Sequence, residues 1–238
     1  MLFAMRASNL APRVGIPRAI RLLSTSAPPV PGVVGVIPSG NITEEDVIAA
    51  QVAWTKAIIG ITKVYKEGGD FVAAAGYCAG VLYGYGHSKV LFKPTRATNN
   101  PFRPKAEDAM AYFVGANAMD NHKFDGEDNG FAINGGQGWS RVVFRNHDID
   151  LNGNTAVAMG DYVFTNAISG AENRVEYTFG YKTNDDGNMR IFLCAPPLIP
   201  AHISADLGLS QPAALVHAAP LVHVGITPPC RTSQPKCM

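Results

Sequence analysis

Alternation of apolar and polar residues in the second half of the chain places the strongest limit on its fold. Residues 174–182 place Val, Tyr, Phe and Tyr at every second position, with Arg, Glu, Thr, Gly and Lys between them. A period of two is typical of a strand with one buried face. Residues 139–144 and 155–165 are also strand-like, and residues 189–193 form the expected closing strand. Asn-Gly and Asp-Gly turns separate these segments, which predicts an antiparallel meander.

Helical patterns precede the meander. The first starts at Thr43, whose sequence Thr-Glu-Glu-Asp resembles a capping box, and ends at Gly68. A second helix is predicted over residues 71–83 and a third after Pro104, with a short strand at 89–93 between them. Helices segregated from such a sheet define the α+β class, here about three N-terminal helices on a curved, mostly antiparallel sheet. A cone of this kind encloses a hollow suited to a small ligand.

Proline and acidic residues divide the chain into three parts. Residues 41–195 contain three of the 17 prolines and almost all the acids. Residues 1–40 carry four arginines, no acid and a Leu-Leu-Ser-Thr-Ser stretch, which is the composition of an organelle transit peptide followed by a linker. We therefore predict a mitochondrial protein, with a plastid as the alternative. Residues 196–238, rich in Pro, Ala and His, are predicted to be a disordered tail.

Several classes of function find no support in the sequence. A net charge of +1 weighs against nucleic-acid binding, and the sequence has no run of 18 apolar residues to predict a membrane span. The spacing of His87, His122 and His147 fits no metal motif, so we expect no metal and no cofactor. The acidic residues 125–130 lack the spacing of a calcium loop and are predicted to be a solvated loop.

The chemistry that remains is that of neutral hydroxyl groups. Thr95 lies at the end of the short predicted strand, and Tyr112 lies on the third predicted helix. By themselves these are ordinary residues, since a threonine often caps a turn and a tyrosine often belongs to the core.

A family resemblance gives these two residues a different meaning. The segments that carry it run in order along the chain: 42–51, 65–69, 90–95, 102–104, 111–115, 131–134, 150–155, 158–160 and 175–181. Together they resemble the iota-class carbonic anhydrases, within the SnoaL-like and calmodulin-dependent-kinase association-domain superfamily. The resemblance implies a cone-shaped SnoaL-like fold, a homodimer, and reversible hydration of carbon dioxide to bicarbonate without metal.

The resemblance also implies which residues form the site. In that family a threonine, a tyrosine and a serine bind bicarbonate; Thr95, after Phe-Lys-Pro, and Tyr112 match the first two. Such hydroxyls can orient water and stabilise charge that develops on oxygen. They are poor bases at neutral pH, so they do not explain how the water loses its proton.

The chain departs from the family at the end of the last strand. Members usually end that strand with His-His-Ser-Ser, whereas Cys194-Ala-Pro-Pro197 stands here, and the prolines are expected to end the strand early. One hypothesis is a frameshift or mis-splicing that altered the tail. The other is a true variant that retains the fold as a pseudoenzyme.

Three functions follow for the central domain. The first is a carbonic anhydrase, and the second is a non-catalytic binding or oligomerisation module on the same fold. The third is another SnoaL-like chemistry with a carboxylate base, for which Asp161 and Glu176 are candidates. Alternation places both carboxylates on the face opposite large apolar neighbours, so we expect them to face solvent and rank this function last.

Overall fold

The predicted meander forms one sheet of five strands. The computed structural model describes residues 29–195, so the predicted targeting segment and the predicted tail lie largely or wholly outside the described residues. The strands are β1 (Leu91–Phe92), β2 (Trp139–Asn152), β3 (Thr155–Asn166), β4 (Glu172–Thr183) and β5 (Met189–Cys194). Their order is β1-β5-β4-β3-β2, and all neighbours are antiparallel except β1, which is parallel to β5. The α+β class is therefore confirmed.

Helices precede the long strands, as the sequence predicts. They are α1 (Glu44–Lys66), α2 (Phe71–Leu82), α3 (Ala106–Val114) and the single turn α4 (Ala116–Met119), with 3-10 turns at His122–Phe124 and Asn134–Gly136. The predicted capping box at the start of α1 is confirmed: the Thr43 side chain accepts from the Asp46 N–H, and the Asp46 side chain accepts from the Thr43 N–H. The sequence did not predict α4 or the two 3-10 turns, which are too short to show a period.

Aromatic rings fill the space between α1 and the sheet. Trp54 of α1 stacks on Tyr162 with 5.8 Å between ring centroids, and Phe179 lies 6.0 Å away. The rings of Tyr162 and Tyr177 are also stacked, with their centroids 5.3 Å apart. Each of these side chains is buried. The inward positions of the alternating pattern therefore form the core against which the helices pack.

Residues before the predicted boundary at residue 41 also pack on the domain. Val30 and Val33 belong to the buried core, and Val36 pairs with Met189 of β5. Val30 packs directly against the backbone of α1 at Gly60. A Cβ atom added at Gly60 would lie only 2.2 Å from Val30 Cγ1. The part of the predicted linker that the structure describes thus covers α1, because its valines bury apolar surface that composition alone did not reveal.

Helix α1 is long and apolar enough to cross a membrane, although the sequence contains no uninterrupted apolar run of that length. Half of the apolar stretch is buried inside the domain, against the sheet and α2. Core helices of water-soluble domains reach the same length and composition, so the burial accounts for its apolar character.

Candidate functional site

Thr95 lies in a turn at the sheet edge and is buried. Strand β1 ends where Lys93 donates its backbone N–H to the Cys194 carbonyl at 2.9 Å, and Pro94 then turns the chain. A proline has no N–H for a strand ladder, which explains why β1 is only two residues long. The turn carries Thr95 inward and continues into Arg96.

Tyr112 lies on α3 among aromatic rings. It is 5% exposed, stacks on Phe131 at 5.3 Å between centroids, and meets the edge of Phe92 at 5.8 Å. Burial raises the pKa of Tyr112 well above its ordinary value, while the nearby charge and backbone N–H of Arg96 oppose that rise. Its hydroxyl is therefore protonated at neutral pH and can donate a hydrogen bond.

Tyr162 of β3 brings the two predicted residues into one site. Burial raises the pKa of the Tyr162 hydroxyl well above its ordinary value. Thr95 and Tyr112 both influence this pKa, which hydrogen bonding with Thr95 lowers and the nearby Tyr112 raises. All three side chains are buried in an apolar interior. Sequence reasoning did not assign Tyr162 to the site; the available signal was that a buried tyrosine hydroxyl needs a polar partner.

Arg96 adds a positive charge beside these hydroxyls. Its guanidinium lies 5.8 Å from the centroid of Phe131 and 5.7 Å from that of Trp139, and donates to Asn134 Oδ1 at 3.5 Å. These contacts hold the cation near Tyr112, whose pKa it acts to lower. Sequence analysis missed this residue, because one arginine after a turn has no distinguishing pattern.

Cys194 stands at the end of β5, where the family resemblance led us to expect a different ending. It is buried beside Tyr112 and Tyr162, and its own pKa is raised by burial, against which Lys93 acts. The thiol is therefore neutral at physiological pH, which is unfavourable for a nucleophile. The ladder reaches Ala195, whose N–H donates to the Thr178 carbonyl at 3.1 Å. The prolines at positions 196 and 197 lie outside the described residues.

The prediction that residues 125–130 form a solvated loop holds for the exposed Asp125, Gly126 and Asn129 but is wrong for Glu127 and Asp128. The side chains of Glu127 and Asp128 are 5% and 1% exposed, and both lie against Arg103, which is fully buried. Arg103 Nη2 donates to Asp128 Oδ1 at 3.1 Å and to Glu127 Oε2 at 3.4 Å, and its guanidinium lies 3.5 Å from the centroid of the Phe124 ring. These four residues are called the Arg103 cluster below. The acidic residues turn inward because a buried cation compensates their charge.

One group in the described part of the chain has the side chains and proximity to hold a cation. The ligand atoms of His87, Asp185 and Asp186 lie within 4.8 Å of one another, and all three residues are exposed. Both carboxylate oxygens of Asp186 accept hydrogen bonds from Arg190, at 2.9 and 2.8 Å. Arg190 would compete with a metal ion for the Asp186 carboxylate. We therefore assign these three residues no part in the site formed around Thr95 and Tyr112.

The two carboxylates considered as bases lie apart from the hydroxyls. Asp161 and Glu176 are opposite each other on β3 and β4, next to the inward-facing Tyr162 and Tyr177 and therefore on the other face of the sheet. Glu176 is exposed, as predicted. Asp161 is covered by arginines, with Arg174 Nη2 at 2.8 Å from its Oδ2, rather than being open to solvent.

Comparisons with known proteins identify the family of the chain. A family model described as "Metal-independent carbonic anhydrase" matches residues 45–196. A protein of that name from Nostoc sp. (strain PCC 7120) is 38% identical over 154 residues, which make up 63% of this chain and 70% of the relative. The chain is also similar to the crystal structure of an iota-carbonic anhydrase from a cyanobacterium complexed with bicarbonate. In that match the sequence identity is 35%, the TM-score is 0.59, and 67% of this chain and 93% of that chain are covered.

Proposed function

The chain belongs to the metal-independent carbonic anhydrase family, and we propose that Thr95, Tyr112 and Tyr162 form the pocket in which it hydrates carbon dioxide reversibly to bicarbonate. The observation that carries this proposal is that Tyr112 and the Arg96 guanidinium pack against the same Phe131 ring, with Thr95 buried next to Arg96 in the chain. The bicarbonate bound in the related crystal structure supports the same ligand here.

The reaction joins a water oxygen to the carbon of carbon dioxide and releases one proton. Negative charge develops on the carbon dioxide oxygens as the new C–O bond forms. A protonated Tyr112 hydroxyl donates a hydrogen bond to one of these oxygens, and Arg96 stabilises the resulting anion electrostatically. The Thr95 oxygen accepts a hydrogen bond from the attacking water and orients it.

The proton leaves with solvent or buffer rather than on a side chain of the pocket. The hydroxyls of Tyr112 and Tyr162 and the thiol of Cys194 all have raised pKa values, so none is an anionic base at neutral pH. The pocket therefore orients the attacking water and stabilises the developing negative charge. The proton passes to a solvent water molecule that reaches the pocket.

A second candidate function is a non-catalytic binding module on the same fold. The observation that favours it is Cys194-Ala195 at the end of β5, where the resemblance led us to expect histidine and serine. A bicarbonate-binding protein without hydration activity would have this character, since a fold does not fix an activity.

Hydration by the purified full chain, measured by stopped flow after chelator treatment, tests the proposal. We expect activity that survives chelation and falls about 100-fold in Thr95→Ala and Tyr112→Phe. The matched controls are Thr155→Ala and Tyr77→Phe, which remove the same groups in the hairpin after β2 and in α2. A folded but inactive wild-type protein would favour the binding module, and equal losses in the controls would remove Thr95 and Tyr112 from the site.

The assembly and the cellular location are proposals of the same kind. The family resemblance supports a homodimer, and light scattering of the purified chain would give its mass. The arginine-rich, acid-free residues 1–40 support mitochondrial import. A fluorescent protein fused to these residues should accumulate in mitochondria, and accumulation in a plastid or in the cytosol would contradict the proposal.

A further inference from the structure

The segment between β1 and α3 carries both Thr95 and Arg96, so its conformation decides where these groups point. Its ends are fixed by backbone hydrogen bonds from Lys93 to Cys194 and from Arg103 to Phe92, each 2.9 Å long. Within it, the Ala97 N–H reaches the Pro94 carbonyl only at 3.4 Å. A loop of this length needs further contacts to hold one conformation.

Glu127 supplies those contacts from a distant part of the chain. Its carboxylate accepts hydrogen bonds from three successive backbone N–H groups, those of Thr98, of Asn99 at 2.7 Å and of Asn100 at 3.2 Å. Successive N–H groups that converge in this way form a nest for an anion. Arg103 compensates the buried charge, with its Nη2 3.4 Å from Glu127 Oε2. The carboxylate therefore holds the loop three residues after Thr95.

The segment that carries Glu127 is also fastened to α3. The Asp128 carbonyl accepts from the Ala116 N–H at 2.9 Å, just beyond the end of the helix. The Phe131 N–H donates to the carbonyl of Tyr112 itself, also at 2.9 Å. One short stretch of chain is thus bonded to the loop that presents Thr95 and to the helix that presents Tyr112.

We infer that Glu127 is a positioning residue, which fixes the Thr95 hydroxyl relative to the Tyr112 hydroxyl through the loop at 98–100. The catalytic part of this inference rests on the proposed function. Loss of one partner of a buried ion pair is itself destabilising, so the test has to separate positioning from stability. Three parallel hydrogen bonds to one loop serve to fix its conformation.

Glu127→Gln tests the inference, since it keeps the shape of the side chain and removes its charge. We expect kcat for hydration to fall about tenfold, because a displaced hydroxyl lowers the fraction of correctly oriented water. Amide hydrogen exchange at 98–100 should become about tenfold faster, because a neutral acceptor binds these N–H groups less strongly. The control is Glu107→Gln, an exposed glutamate on α3 that pairs with Lys105.

A double-mutant cycle separates positioning from stability. If Glu127 acts through Thr95, Glu127→Gln should cost less than about twofold in activity when Thr95→Ala is already present. The same tenfold loss in both backgrounds, or unchanged exchange at 98–100, would overturn the inference. A wild-type protein without hydration activity would refute the proposed function alone, and exchange would then decide whether Glu127 holds the loop.

Discussion

Strands β2–β5 and the segment between β1 and β2 are held together by different interactions. The strands pair through backbone ladders, and that of β3 with β4 runs without a register shift from Thr155–Lys182 to Thr165–Glu172. The segment between β1 and β2 combines backbone hydrogen bonds with side chains that bond to backbone, such as Glu127 to three N–H groups and Trp139 Nε1 to the Phe131 carbonyl at 2.8 Å. The positions of Thr95 and Tyr112 therefore depend on the β1–β2 segment, whereas the third hydroxyl, that of Tyr162, belongs to the sheet.

This difference means that one substitution should affect the two properties unequally. A core change in the sheet weakens the scaffold, while the Thr95 and Tyr112 hydroxyls, which lie outside the sheet ladders, keep their positions in the molecules that stay folded. A change in the Arg103 cluster leaves the ladders intact and moves the hydroxyls. Measurements of unfolding and of hydration on the same variants therefore test whether the two regions are independent.

Phe179→Ala should give the largest effect on stability. Phe179 is completely buried in β4, with Trp54 and Tyr177 packed against its ring, so its removal leaves a large cavity. We expect the free energy of unfolding to fall by about 3–5 kcal/mol in urea denaturation followed by circular dichroism. Hydration measured at low temperature, where the variant is still folded, should stay within about threefold of the wild type. A fall in hydration as large as that of Tyr112→Phe would show that the two regions are not independent.

The sheet and the β1–β2 segment also differ in how well the sequence predicts them. The alternation around Phe179 is a local pattern with period two, and it predicted the strands and their inward faces. Thr95 and Tyr112 were found through the motifs around them, and the structure brings both toward Tyr162. Glu127 was predicted to be solvated, because its neighbours are acidic and its partner Arg103 is 24 residues away. Burial of an ion pair depends on such a distant partner, which no local pattern records.

Cys194→Ala should have the next largest effect, at the point where the sheet meets the site. Removal of a buried thiol is expected to lower the free energy of unfolding by about 1–2 kcal/mol, and hydration should stay within about threefold because the thiol is neutral. Cys78→Ala is the control, since that thiol is equally buried in α2 and burial raises its pKa to about 12. Loss of hydration in Cys194→Ala alone would give the thiol a role in the pocket.

Asp128→Asn should change the pH dependence of stability. Burial raises the pKa of Asp128 from 3.8 to about 6, against the opposing charge of Arg103. Because the folded protein binds this proton more tightly, the carboxyl group contributes stability below pH 4 that is lost as pH rises through 6. The asparagine variant lacks this loss, so its stability relative to that of the wild type should rise between pH 4 and 7. Urea denaturation at several pH values measures it, with the exposed Asp150→Asn as control; parallel curves for wild type and variant would contradict the shift.

Asp161→Asn should have the smallest effect, although it removes a carboxylate from the sheet itself. Asp161 lies on the outer face of β3, where its oxygens meet the exposed arginines 174 and 145 at 2.8 and 4.0 Å. Ion pairs with exposed partners contribute little, so we expect a change of about 0.5 kcal/mol in urea denaturation and less than twofold in hydration. The alternative chemistry with a carboxylate base predicts the opposite, a large loss of turnover with no change in stability. Such a loss would move the catalytic centre to the outer face of the sheet, and the separation between a stabilising sheet and a catalytic β1–β2 segment would then be wrong.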